Sequence, residues 1–403
     1  MALGVSLRGG SRVGERARRP HRAAWAGGLF AILWCLAGAG CGPAGEGTRA
    51  GATVLYVSNS GDGTLTRIDT AGGRVAGPAV PAGEAPWRLA AGPGGAVLAQ
   101  PVAGGTGAGL TRVVRTPAGW QARPLPLEPG ARSPLLAGGG RAAAVASGAA
   151  GGPDAAAGAR CRLARVDLEQ GVIGPARTVC AGRDSVVDLA AGGDGALVYL
   201  AVWRRPAAGQ PCDAPTGSRV VALRAATGAP VASAALEGVP GPLVLAPAPD
   251  GVGQRLFAAE ALPARELVLP GQSPGECAWG GYGERFEGAR AWRVWSLDAT
   301  TLVPEEEHAV PYPVRALAAT PDGGDAYVLA GRAAVLRLAP AGGPARPFAT
   351  LPDWAVGLAA TDDQVFTLDA FGDRVWCLDR ARGRVLRTIP TGRGPLGLAL
   401  AGG

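Results

Sequence analysis

Catalysis needs nucleophiles, bases or metal ligands that can converge, and this chain holds few of them. It contains two histidines, His21 and His308. His308 follows the acidic run Glu305-Glu306-Glu307 in an expected outer strand, which predicts a solvated surface residue. A Ser-His-Asp triad, an HExxH zinc site or a multi-His centre cannot be built from that supply. The seven cysteines, at 35, 41, 161, 180, 212, 277 and 377, form no CxxC or CxxCH pair. Haem attachment and a zinc ribbon are therefore excluded. Gly-rich runs such as Gly138-Gly139-Gly140 lack the Lys-Ser/Thr that completes a phosphate loop and read as hairpin turns. No cofactor is expected.

Charge narrows the partners. The formal net charge is +7, but residues 1–40 carry six Arg and one Glu, a share of +5 that leaves +2 on the rest. Removal of that segment would leave a nearly balanced body, so nucleic acid is not an expected partner. With 66 Gly and 35 Pro among 403 residues, yet 47% hydrophobic residues in recurring runs, the chain reads as folded and rich in turns.

Residues 1–22 are polar and basic, ending in Arg18, Arg19 and Arg22, and the 18 residues 23–40 are uncharged and hold Leu29, Phe30, Ile32, Leu33, Trp34 and Leu36. That order predicts a secretory signal over 1–40. Cys41, directly after the apolar run, resembles the lipidated cysteine of bacterial lipoproteins. Ala37-Gly38-Ala39 also fits ordinary small-residue cleavage, so cleavage before Cys41 or after Ala39 stays open. The Gly-rich stretch 41–52 would be a flexible tether.

The elements that must position any site recur with a period. Residues 354–360, 364–368, 374–379 and 384–390 read as four short strands in about 40 residues, and 54–59, 64–69, 74–80 and 86–91 repeat most of that unit. A 40-residue, four-strand period signals a β-propeller. With strands named A to D from the axis outward, seven A strands are expected after Pro86, Ser133, Asp184, Gly241, Val314, Trp354 and Pro395. Seven B strands follow residues 53, 96, 141, 196, 254, 325 and 364. The repeat opens on a B strand and ends on an A strand. Pairing the two would close the ring and remove two exposed sheet edges. An all-β fold of seven four-stranded antiparallel blades, closed by the C-terminal strand on the N-terminal one, is expected over 53–403.

These units, above all residues 56–69 and 384–399, resemble the YVTN-type seven-bladed propeller repeats of bacterial surface and periplasmic proteins. The resemblance implies a fold and no reaction, because the repeats share no catalytic residues. Lactonase-like propellers offer a contrasting pattern, a divalent metal held at the channel mouth by convergent Glu, Asp and Asn. The acids placed on the channel side here are Asp184 and Asp188, and Asn59 falls in a peripheral B-to-C turn.

In a propeller the B-to-C and D-to-A connections share one face, so loop length points to function. The long B-to-C connections are 147–160, 204–217 and about 259–290, the last holding Glu260, Trp279 and Tyr282. The D-to-A connections add Trp87, Arg88, Asp184, Arg315, Trp354 and Arg393 around the channel mouth. Aromatics and arginines on a rim suit a polar or anionic partner, with packing of Trp87 and Trp354 between blades as the alternative. The expected function is that of an exported, lipid-anchored, monomeric module. It would bind or scaffold an envelope protein or a small polar ligand and touch the membrane through its lipid; the rival is a lactonase-like metal-dependent hydrolase at the channel mouth. In an oxidising compartment disulfides are expected, with Cys161 opposite Cys180 across the hairpin near Gln170-Gly171 and Cys212 near Cys277 between long loops as the candidate pairs and Cys377 as a buried thiol; the connectivity stays open.

Overall fold

The computed structural model describes residues 53–401 except 103–108, 128–134, 140–141, 148–159, 183, 193–194, 205–216, 263–290, 340–341 and 370. Seven antiparallel sheets succeed one another around an axis. Their inner A strands are, for blades 1 to 7, Pro395–Ala401, Pro86–Ala91, Leu135–Gly139, Asp184–Ala191, Val239–Pro247, Val314–Ala319 and Ala355–Ala360. Each lies against the next, and the blade 7 strand lies against that of blade 1. The architecture is a seven-bladed β-propeller, and the expected strand phase holds in every blade.

Ring closure follows the expected pairing. Pro395–Ala401 runs antiparallel to Val54–Asn59, with Val54 opposite Ala401 and Tyr56 opposite Ala399. The seam is sealed by apolar side chains from both blades: Leu55, Val57 and Ile68 pack with Phe366, Leu368, Val375 and Cys377. The other hydrophobic clusters likewise bridge neighbouring blades, so the core is a ring of interfaces. Phe366 is fully buried at the seam, and its truncation to Ala would cost about 3–5 kcal/mol. Tight A-to-B hairpins hold the blades in step. Gly323 turns at φ +69, and a Cβ there would clash with the carbonyl oxygen of Pro247 in blade 5.

Among the described residues, six inner strands carry one extra residue just inside the D-to-A end. The positions skipped in the register are Leu396, Trp87, Val187, Arg315 and Gly357, with a comparable slip at Pro240–Leu243. A bulge bends its strand and re-aims the side chain it carries. Gly357 adopts φ +68, which a side chain would strain.

Cys161 and Cys180 are register partners on the C and D strands of blade 3 and form a disulfide, with Cα atoms 4.9 Å apart. Cys377 is a buried free thiol, and burial pushes its pKa up. The pairing of Cys212 with Cys277 falls outside the described residues, as do the signal segment 1–40, Cys41 and the tether through 52.

Two expectations are corrected. His308, on outer strand Pro304–Val310 of blade 5, is fully buried. The amides of Gly343 and Ala345 in blade 6 donate to the carbonyls of Glu307 and Ala309 on either side of it, 2.9 Å each, so the neighbouring blade covers this strand. Asn59 is likewise buried, at the end of the blade 1 B strand, where its Nδ2 donates to the hydroxyls of Thr64 and Thr66.

Candidate functional site

The D-to-A face gathers the residues that the sequence places at the rim, and their roles divide. Asp184, buried at the head of the blade 4 inner strand, accepts from Arg204 Nε at 2.7 Å and Arg219 Nη2 at 2.6 Å. Burial alone would push its carboxyl up, but the two arginines outweigh this and hold it below the ordinary carboxylate range. These bonds tie the ends of strands A, B and C in one blade. Asp188 lies deeper on the same strand. Its Oδ1 accepts from Arg88 Nη1 of blade 2 at 2.5 Å and its Oδ2 from the Leu243 amide of blade 5 at 2.9 Å. One carboxylate thereby links blades 2, 4 and 5 near the axis.

Arg393 belongs to the closure. It is 75% exposed, and its Nε meets Asp62 Oδ1 at 2.6 Å while its backbone N–H reaches Asp62 Oδ2 at 2.6 Å. The amides of Ser60 and Gly61 donate to the carbonyls of Gly394 and Arg393, fastening the last strand to the first hairpin. Trp87 is half-buried beneath Arg88, whose guanidinium lies 5.2 Å from its ring, and its carbonyl accepts from Ser58 Oγ at 2.8 Å.

Arg315 and Trp354 do come together. The Arg315 guanidinium lies 4.3 Å from the Trp354 ring centroid, and Arg332 contributes a second guanidinium at 4.9 Å. Local backbone explains the convergence. Arg315 is the bulged residue of the blade 6 inner strand, turned out of the sheet's alternation. Arg332 sits in the blade 6 B-to-C turn, where its carbonyl accepts from the Ala355 amide at 2.8 Å, locking that turn to the blade 7 approach. Asp353 Oδ1 receives the Trp354 amide at 2.7 Å and sets the tryptophan's own backbone.

One further aromatic, Phe371, joins this shelf, and a second, Tyr312, stands beside the turn that carries Arg332. Phe371 meets Trp354 edge-on with centroids 6.3 Å apart. The turn that lifts it is organised by buried Asp369, which accepts from the amides of Phe371 and Gly372 and from Arg374 Nε at 2.7 Å. Tyr312 precedes blade 6 and stands beside Gly331, whose amide donates to Pro313 O at 2.8 Å. The signal for both was an aromatic residue in a Gly- or Pro-bearing turn, where packing does not call for one.

Trp279 and Tyr282, expected on the same face, lie outside the described residues. Glu260, read as the start of that loop, is in the strand Gln254–Leu262 and fully buried. It accepts from Arg293 Nε at 2.7 Å and Trp295 Nε1 at 2.9 Å. Among the described residues no three His, Cys, Asp or Glu side chains converge as metal ligands.

No family model matches the chain, and a search of curated proteins finds no match. Solved structures do resemble it. A candidate 6-phosphogluconolactonase from Bacteroides uniformis superposes with a TM-score of 0.55 at 14% identity, covering 87% of this chain and 99% of that one. A functionally unknown protein from Desulfotomaculum acetoxidans gives 0.54 at 11%, covering 87% and 99%. Apo AztD from Citrobacter koseri gives 0.50 at 14%, covering 88% and 99%. At such identities the likeness establishes the propeller fold and leaves the chemistry to the site.

Proposed function

We propose that this chain is an exported, lipid-anchored propeller of the YVTN-repeat type that binds or scaffolds a partner in the cell envelope through its D-to-A face. One observation carries the reading. That face presents a prepared cation–aromatic shelf, whereas the channel-side acids Asp184 and Asp188 are already saturated by arginines and a backbone amide of the fold. Trp, Tyr and Arg are the residues that dominate protein interfaces when they are held in place. The basic segment, apolar run and Cys41 support export and a lipid anchor.

The test is affinity capture from the native envelope with the mature domain as bait, run beside a metal and lactone-hydrolysis assay of the same preparation. A partner retained by the wild-type face and an inactive protein agree with a binding module. Metal-dependent lactone hydrolysis would replace it with the hydrolase reading. Intact mass of the membrane fraction should show acylated Cys41; a soluble product beginning at Gly40 would contradict the anchor.

A further inference from the structure

The chain enters the propeller on the face opposite the D-to-A rim. Val54 opens a B strand, and B strands start at the A-to-B turns. Thr53 is held there by the C-to-D turn of its own blade, where the amide and the hydroxyl of Thr70 both donate to its carbonyl, at 3.2 and 2.8 Å. Eleven residues separate Cys41 from Thr53, and no conformation lets them span more than about 40 Å. A lipid on Cys41 would therefore keep this face close to the bilayer.

The same face carries the exposed aliphatic side chains. Among the described residues the three most exposed are Val252 at 77%, in the blade 5 A-to-B turn, Val303 at 58%, in the blade 5 C-to-D turn, and Val172 at 56%, at the blade 3 C-to-D turn. Of the eight Val and Leu side chains that are exposed there, seven lie in such turns or in the first two residues of the outer strand that follows, and Val102, on the D-to-A side, is the exception. One exposed valine is ordinary, whereas seven gathered on one side mark an apolar contact surface. The exposed rings Phe371 and Tyr312 are on the other face.

Short aliphatic turns suit the boundary layer of a bilayer. Arg74 and Arg384 are exposed, each next to an exposed valine, and can lay their stems on that boundary while the guanidinium stays among headgroup phosphates. Glu169 and Asp250 are also exposed on this face, so its charge selects no anionic lipid. Each contact is weak, and tethering compensates, because a short linker holds its cargo at an effective concentration on the order of millimolar.

We infer that the face of A-to-B and C-to-D turns lies on the phospholipid headgroup surface that holds Cys41, with the D-to-A face turned away from the bilayer. This rests on the reading of the chain as lipid-anchored at Cys41 and adds which face meets the lipid.

The experiment takes the full chain as made by its native host and reconstitutes it in phosphatidylcholine vesicles that carry a headgroup-spin-labelled phosphatidylcholine. A fluorescent amino acid at Val303, Val172 or Arg332, all exposed, reports contact with that quencher. Expected is quenching at 303 and 172 and none at 332. Val252→Asp combined with Val303→Asp, in exposed turns where a matching melt confirms folding, should shift the contact equilibrium at least about tenfold and remove most of the quenching at 172, as the loss of two apolar anchors implies. Equal or greater quenching at 332, no quenching at any position, or undiminished quenching in the double variant overturns the inference while leaving the lipid anchor in place. So does a second copy covering this face, seen as a doubled mass with 303 and 172 shielded from the quencher. A chain that does not sediment with the vesicles removes the anchor reading, and this inference with it.

Discussion

Replacing Asp188 tests whether the channel-side acid is a structural tie. Its carboxylate spans Arg88 of blade 2 and the Leu243 amide of blade 5, with side-chain exposures of 11% for Asp188 and 18% for Arg88. An exposed ion pair would be worth at most about 1 kcal/mol, and breaking a fully buried one costs about 3–5 kcal/mol. This pair lies toward the buried end and includes a charged acceptor for a backbone amide. Asp188→Ala should therefore cost about 3 kcal/mol, removing the acceptor from the Leu243 amide as well as the charge. Asp188→Asn can keep an acceptor for that amide and should cost about 1–2 kcal/mol. In a double-mutant cycle with Arg88→Ala the coupling should be about 1–2 kcal/mol. Urea unfolding followed by tryptophan fluorescence measures wild type and the four variants. An Asp188→Ala midpoint within about 0.5 kcal/mol of wild type, or additive single effects, would refute the tie.

Deleting residues 395–401 should strip the partner from Val54–Asn59, expose that edge and lower solubility and melting temperature; an unchanged melt by scanning calorimetry would count against ring closure. Reducing Cys161–Cys180, which are 19 residues apart, should destabilise the domain by about 3 kcal/mol in the chain-entropy account, and non-reducing peptide mapping should recover the linked pair with Cys377 free. His308 has its pKa lowered, chiefly by desolvation, even though Glu306 Oε2 lies 3.6 Å away; the Gly343 backbone pulls it up and Arg255 pushes it down. The unfolded chain then takes up a proton that the folded chain refuses, so stability is full above the unfolded value of about 6.5 and falls as pH drops below it toward the folded pKa. Urea midpoints from pH 7.5 to 5 should fall less steeply for His308→Gln than for wild type, and parallel slopes would contradict this.

Strand phase and ring closure were legible because each blade repeats the same local signals, alternating apolar residues and Gly-bearing turns. The Cys161–Cys180 bridge was legible for a related reason, since a hairpin fixes which residues oppose each other. The bulges were not, because one extra residue leaves the apolar pattern nearly unchanged and shows only in the pairing register. His308 was misread as solvated because its cover comes from blade 6, about 35 residues later in the chain. Arg315 and Trp354 were found as rim residues, but their partnership with Arg332 depends on a turn-to-turn hydrogen bond that composition does not report. Phe371 and Tyr312 carry a readable signal, an aromatic residue in a short Gly- or Pro-bearing turn, but loop length does not single those turns out.

The working surface can be located by site-specific photo-crosslinking in the native host. Benzoylphenylalanine placed at Arg332 samples the D-to-A face, and placed at Val252, 77% exposed in a blade 5 A-to-B turn, it samples the opposite face. A discrete crosslinked protein from position 332 and none from 252 is the predicted result. The same adduct from both positions, or adducts from 252 alone, would contradict a binding module that works through the D-to-A face.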